Sequence, residues 1–168
     1  MRKLFLAWVA VATVLFGATA ASANSDPHRM FLPAGPFDIP AGVCTFPVHV
    51  DVPINKEYAK VTTLPDGSTQ YDITGAFKVT LTNVATGKML SLNISGPQTI
   101  VFPASGPTLS AYLYGSSLVY VTNGASFGLP NLMLTAGPFY YTTDTSNDTI
   151  VSVTRAPHVR TDVCAALG

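Results

Sequence analysis

The chain carries three histidines, His28, His49 and His158, and none stands in an H-E-x-x-H or H-x-H spacing that would gather a metal ion. Each is expected to face solvent. The carboxylates are Asp26, Asp38, Asp51, Asp66, Asp72, Asp144, Asp148 and Asp162, with Glu57 as the one glutamate. Two of them facing each other across a cleft could hydrolyse a glycoside. Most, however, sit in expected turns, where a short acceptor side chain bonds its own backbone. Asp144-Thr145-Ser146-Asn147-Asp148 places two carboxylates in one loop but lacks the central glycine and final glutamate of a calcium loop, so it reads as a plain turn. No serine occupies G-x-S-x-G, and neither G-x-G-x-x-G nor a P-loop occurs. Lys56, Lys60, Lys78 and Lys88 are dispersed and form no phosphate-tracking strip. These residues nominate no catalytic group, no metal and no cofactor. Asn93-Ile94-Ser95 and Asn147-Asp148-Thr149 match the glycosylation pattern, which matters only in a host that uses it.

The two cysteines, Cys44 and Cys164, lie 120 positions apart. A redox pair is usually written C-x-x-C, and zinc would need neighbouring His or Cys ligands. Neither pattern is present. In an oxidising compartment such a pair forms a structural bridge, which here ties the two ends of the domain together.

That compartment is indicated by residues 1–23, which read as a secretory signal peptide. Arg2 and Lys3 precede an apolar run from Leu4 to Phe16, and Ala21-Ser22-Ala23 offers a small-residue cleavage site before Asn24. The run is short for a membrane anchor, no stop-transfer charges follow it, and nothing later in the chain is long and apolar enough to span. The expectation is a secreted, extracellular protein with no membrane span in its mature chain. Of the 168 residues, 48% are hydrophobic and 11% charged. Residues 24–168 hold 7 basic and 9 acidic side chains, a net charge of −2. That balance excludes a strongly basic nucleic-acid binder and a disordered, highly charged chain.

What must position any site is a set of strands. Val, Ile, Thr, Tyr and Phe supply 52 of the 145 residues after the signal, types that suit a pleated surface. Phe46, Val48, Val50 and Val52 alternate with Thr45, Pro47, His49 and Asp51. Phe77, Val79 and Leu81 alternate with Lys78, Thr80 and Thr82, and Leu90, Leu92 and Ile94 with Ser91, Asn93 and Ser95. Each set belongs to one sheet face. Leu64-Pro65-Asp66-Gly67, Val84-Ala85-Thr86-Gly87 and Ser146-Asn147-Asp148 read as turns. Strands are expected at about 43–52, 57–64, 69–74, 76–83, 88–95, 98–102, 108–114, 117–122, 131–142 and 149–155, and a helical turn near Val163 to Leu167. The predicted fold is all-β: an antiparallel meander of about 8–10 strands closed as a barrel, with a β-sandwich as the alternative. Residues 24–42, with Pro27, Pro33, Pro36 and Pro40, read as an extended lead-in to a single domain over 43–168.

The second half of the chain is apolar on both strand faces. Tyr112 and Tyr114 alternate with Leu109, Ala111 and Leu113; Leu118 to Val121, Leu132 to Leu134 and Phe139 to Tyr141 have no polar face. Such strands are covered on both sides, or one side lines a cavity or contact surface. Tyr112, Tyr114, Tyr120 and Tyr141 are the candidate ligand-binding residues, since their rings pack while their hydroxyls orient a guest. Three functions compete: a binding module for a small apolar molecule, a structural or interaction protein of the cell envelope, and an enzyme needing few catalytic groups. The residues do not specify an oligomeric state.

Several motifs carry a resemblance. Gly42-Val43-Cys44-Thr45-Phe46-Pro47-Val48, Asn55-Lys56-Glu57, Leu64-Pro65-Asp66-Gly67, Thr82-Asn83 with Thr86-Gly87-Lys88, Ile94-Ser95-Gly96-Pro97 and Asp162-Val163-Cys164-Ala165-Ala166-Leu167 together resemble a family of small secreted proteins of actinobacteria. The resemblance spans nearly all of the mature chain. It implies a shared framework of turns and a disulfide and brings no activity with it. By strand count and size the chain is also similar to lipocalin-like barrels of the dirigent and allene-oxide-cyclase sort, a fold-level likeness that does not carry function.

Overall fold

The computed structural model describes residues 29–168. The expected signal segment 1–23, the expected start at Asn24, Asp26 and His28 lie outside the described residues.

The domain is built on one long hairpin. β3 (Val48–Thr63) and β4 (Thr69–Asn83) pair over almost their full length. The Leu64-Pro65-Asp66-Gly67 turn joins them as expected: Gly67 takes φ +83° and donates to the Leu64 carbonyl at 2.9 Å, and Asp66 accepts from the Ser68 N–H. Strands this long must coil, so each end of the hairpin takes different neighbours. At one end, β2 (Phe37–Ile39) pairs with the start of β3 and β5 (Met89–Asn93) with the end of β4. At the other end, β1 (Arg29–Phe31) pairs with the end of β3, and β6 (Gln98–Phe102) with the start of β4. β7 (Thr108–Leu113), β10 (Phe139–Asp144) and β11 (Thr149–Arg155) extend that second end. The stretch read as an extended lead-in thus contributes two short strands of its own.

β8 (Ser117–Tyr120), β9 (Leu132–Ala136) and β12 (His158–Asp162) form a separate three-stranded antiparallel sheet. The barrel expectation is corrected here. The large sheet ends on β1 and β11, which do not pair with each other among the described residues. Instead of closing, it packs on the small sheet. The strand count is twelve among the described residues rather than 8–10. The expected strands at 43–52 and 57–64 merge into β3, those at 69–74 and 76–83 merge into β4, and 131–142 splits in two. The split falls at Gly137, with φ +70°, and Pro138, which has no N–H to donate. This break lets β9 join one sheet and β10 the other.

β9 is buried on both faces, which answers the two-sided apolar pattern read from the sequence. Leu132 and Leu134 pack into a core with Val48, Val50, Leu81, Leu92 and Val163. Met133 points the other way, into a second core with Ala59, Ile73, Ile100, Ala111 and Phe139. The chain closes with the short helix α1 (Val163–Leu167), at the expected place, capped by the Asp162 side chain accepting from the Ala165 N–H at 3.1 Å. Cys164 in α1 is bridged to Cys44 ahead of β3.

Asn83 fastens this end of the fold. It is buried, donates through its side chain to the Leu167 carbonyl at 3.0 Å, and accepts from the Ala85 N–H at 2.9 Å. Asn83→Ala leaves that carbonyl and that N–H without their partner. Urea denaturation should show a loss of about 2 kcal/mol, the cost of stranding buried polar groups.

Candidate functional site

Where the two cores meet, they leave a cavity of about 90 Å³. Phe37, Ile39, Phe77, Val79 and Ile94 close it from one side, and Ile73, Ile100, Leu113, Val119 and Tyr141 from the other. This wall is mostly apolar. Besides the Tyr120 and Tyr141 phenols, three polar groups line it: the Glu57 carboxyl, the Gln98 amide and the Ser117 hydroxyl.

Glu57 points inward because β3 carries a bulge. Asp51 pairs with Thr80 and Ile54 with Lys78, so Val52 and Pro53 together stand against a single residue of β4. One extra residue reverses which parity faces the core. Val48 and Val50 face inward before the bulge; Glu57 and Ala59 do so after it. Without it Glu57 would join Asp51 on the outside. Its cross-strand partner is Gly75, at φ +153°. A Cβ there would lie 2.7 Å from the Glu57 Cα and strike the Lys56 carbonyl, so only glycine lets the two backbones approach this closely. The Glu57 backbone is held as well. Its N–H donates to the Asn55 side chain at 3.0 Å, and its carbonyl accepts from the Leu32 N–H at 3.0 Å.

Gln98 and Ser117 come together through a second close approach. Gly96, between β5 and β6, lies against Gly115 and Ser116, between β7 and β8. The Gly96 N–H donates to the Ser116 carbonyl at 2.9 Å, and the Tyr114 N–H to the Pro97 carbonyl at 3.0 Å. A Cβ on Gly96 would fall 2.5 Å from that Ser116 carbonyl oxygen. The two crossings therefore interlock backbone to backbone, and the first residues of β6 and β8 reach the same cavity.

The electrostatics are one-sided. Glu57 is 6% exposed, and burial alone raises its carboxyl from the ordinary 4.5 to about 7. No Lys, Arg or His is among the lining residues. Ser117 is also 6% exposed, and its hydroxyl oxygen has no hydrogen-bond partner among the described residues. Buried hydroxyls are normally paired, so this one is an open position on the wall. Burial also pushes the Tyr141 phenol up; for Tyr120 burial does most of this and the charge of Asp148 adds to it.

The four tyrosines named from sequence divide into two pairs. Tyr120 and Tyr141 line the cavity. Tyr112 is on the outer face of β7, opposite the inward Leu109, Ala111 and Leu113, and Tyr114 follows directly after the strand. There Tyr112 lies 5.5 Å and Tyr114 5.8 Å from the ring of Tyr140, and the Arg155 guanidinium sits 5.7 Å from that ring. Tyr114 is 47% exposed. The result is an aromatic strip on the surface, separate from the cavity.

Glu57, Gln98 and Ser117 were missed by sequence reasoning. One signal was present for Glu57: Pro53 in the middle of an alternating run marks a bulge, and a bulge flips the facing of everything after it. Gln98 and Ser117 had no local signal, since their meeting depends on two loops touching. The other chemistry-bearing residues do not converge. His49 donates through its Nδ1–H to the Asp38 carboxylate at 2.6 Å and has Asp51 at 3.4 Å, on the outer face of β2 and β3. The hydrogen bond to Asp38 is the main cause of its raised pKa. His158 is exposed. Asp144 accepts from the N–H and hydroxyl of Ser146, and Asn147 from those of Thr149, so this loop is a self-bonded turn. Among the described residues no three His, Cys, Asp or Glu side chains gather at one point.

Comparison of the chain with family models, with curated proteins and with solved structures finds no match.

Proposed function

We propose that this is an exported binding module that takes the end of a small, largely apolar molecule into the Glu57 cavity. The observation that carries this reading is that the Glu57 carboxyl, its pKa raised by burial, and the buried Ser117 hydroxyl, which has no hydrogen-bond partner among the described residues, face one mostly apolar cavity. Folding gains nothing from such groups; each costs desolvation that a bound molecule would offset. A volume of about 90 Å³ is roughly three waters' worth, and carrier cavities run to several hundred Å³. The guest is therefore a short molecule or the tip of a longer one. The leader-like segment and the Cys44–Cys164 bridge support export.

Ser117→Ala tests this reading. In a protein where Ser117 only supports the fold, the change destabilises. Here it should leave stability unchanged or raise it by about 1 kcal/mol, the ordinary cost of an unpaired buried hydroxyl. The same change should weaken binding of short alcohols and amines, followed by NMR shifts of the Ile100 and Leu113 methyls. A stable variant with unaltered shifts would sink the proposal.

The outer strip of Tyr112, Tyr114 and Tyr140 favours a second reading, contact with a cell-envelope component. Tyr114 is exposed and Tyr112 and Tyr140 half-buried beside it, so the strip offers ring surface to the C–H faces of a glycan, and Arg155 adds a donor. Tyr112→Ala with Tyr140→Ala should then release the protein from isolated cell-wall material, with the cavity untouched.

A further inference from the structure

We infer that the guest of the Glu57 cavity is a protonated primary amine on a short apolar tail, bound with its ammonium group among Glu57, Gln98 and Ser117. The inference rests on the binding reading above and names its ligand class.

The wall is rich in acceptors. An ionised carboxylate accepts only, the Gln98 amide offers a carbonyl oxygen, and the unpartnered Ser117 hydroxyl accepts through its lone pairs. A primary ammonium carries three N–H donors and no acceptor, so it can donate to the carboxylate, to the amide oxygen and to the hydroxyl oxygen at once. A carboxylate or phosphate guest would meet Glu57 with no cation to offset the repulsion. The titratable groups that line the cavity with Glu57 are Tyr120 from β8 and Tyr141 from β10, and the charge of Asp148 acts on Tyr120; among the described residues no basic group lines the space. The rings add to the case. Phe37, Phe77, Tyr120 and Tyr141 all line the cavity, and aromatic faces attract cations, most strongly where water is excluded. A carboxylate that shares a mostly apolar cavity with four aromatic rings suits a cation with an apolar body. The volume then limits the tail to a few carbons.

The test titrates the full mature protein with n-propylamine, 1-propanol and propionate by NMR at pH 5.5 and pH 8.5. These probes share one tail and differ in the head. Propylammonium is charged at both pH values, whereas Glu57 ionises between them, so its affinity should rise at least tenfold on going to pH 8.5. Propanol should bind more weakly than the amine at pH 8.5, and propionate should not bind. Glu57→Gln should cut amine affinity at pH 8.5 at least tenfold while leaving propanol within threefold. Equal binding of propanol and propylamine at pH 8.5, or an indifferent glutamine variant, would overturn the ammonium assignment and leave the cavity a site for neutral guests. Absence of binding by all three probes would overturn the binding reading itself.

Discussion

Replacing Glu57 by glutamine should make the protein more stable at pH 8, by roughly 2–3 kcal/mol, and leave it nearly unchanged at pH 4. The sign follows from the direction of the shift. The carboxyl has an ordinary pKa of 4.5 and one of about 7 in the folded protein, so between those values the folded state holds a proton that the unfolded state has released. The associated stability is fully present below pH 4.5. It falls as pH rises and is gone above 7, where the folded protein must keep an unpaired carboxylate in an apolar wall. Glutamine has nearly the same shape and stays neutral throughout, so the variant escapes that loss. Two other groups tilt the profile the same way. Burial raises Asp148 from 3.8 to about 6, and bonding to Asp38 raises the exposed His49. Both groups are shared by the two proteins, so their contributions cancel in the difference between the profiles. Urea denaturation at pH 4, 6 and 8 for both proteins measures it. Parallel profiles for the two would mean that Glu57 is solvated after all.

Removing the Cys44–Cys164 bridge, by Cys44→Ala with Cys164→Ala, should cost about 4 kcal/mol. The bridge spans 120 positions and holds Cα atoms 5.3 Å apart. Its absence frees the unfolded chain from a very long closed loop, and the entropy released grows with loop length. The native contacts nearby also depend on it. Cys44 is buried in the first core beside Val43, and α1 seats Val163 and Leu167 there. Against a net stability of 5–15 kcal/mol for a typical domain, such a loss brings the protein near its threshold. Denaturation with and without reductant reads the same quantity without mutation. Coincident midpoints would show that packing alone holds α1 in place.

These two residues illustrate what can be read along a chain. Cys44 and Cys164 were paired from the sequence because there was only one way to pair them. The turns at Pro65-Asp66-Gly67 and Ala85-Thr86-Gly87 were legible for a similar reason: the φ that glycine tolerates is a local property. So was the strand content, and so was the two-sided covering of residues 118–121 and 132–134. Glu57 was not legible as a site residue. Its facing depends on counting through a bulge, and extending the alternation from Val48 and Val50 puts it outside.

The sequence by itself determined that the chain makes strands, where most of them turn, how its cysteines pair and that its ends are tied together. These follow from side-chain period, glycine and proline stereochemistry and pairing by elimination, all of which act over a few residues or leave one choice. Only the tertiary structure decided that the large sheet stays open, that β8, β9 and β12 form a second sheet against it, and that Glu57, Gln98 and Ser117 share one cavity. Those outcomes rest on backbone contacts between segments far apart in the chain, Gly75 on β3 and Gly96 on Gly115, whose energies no local pattern records.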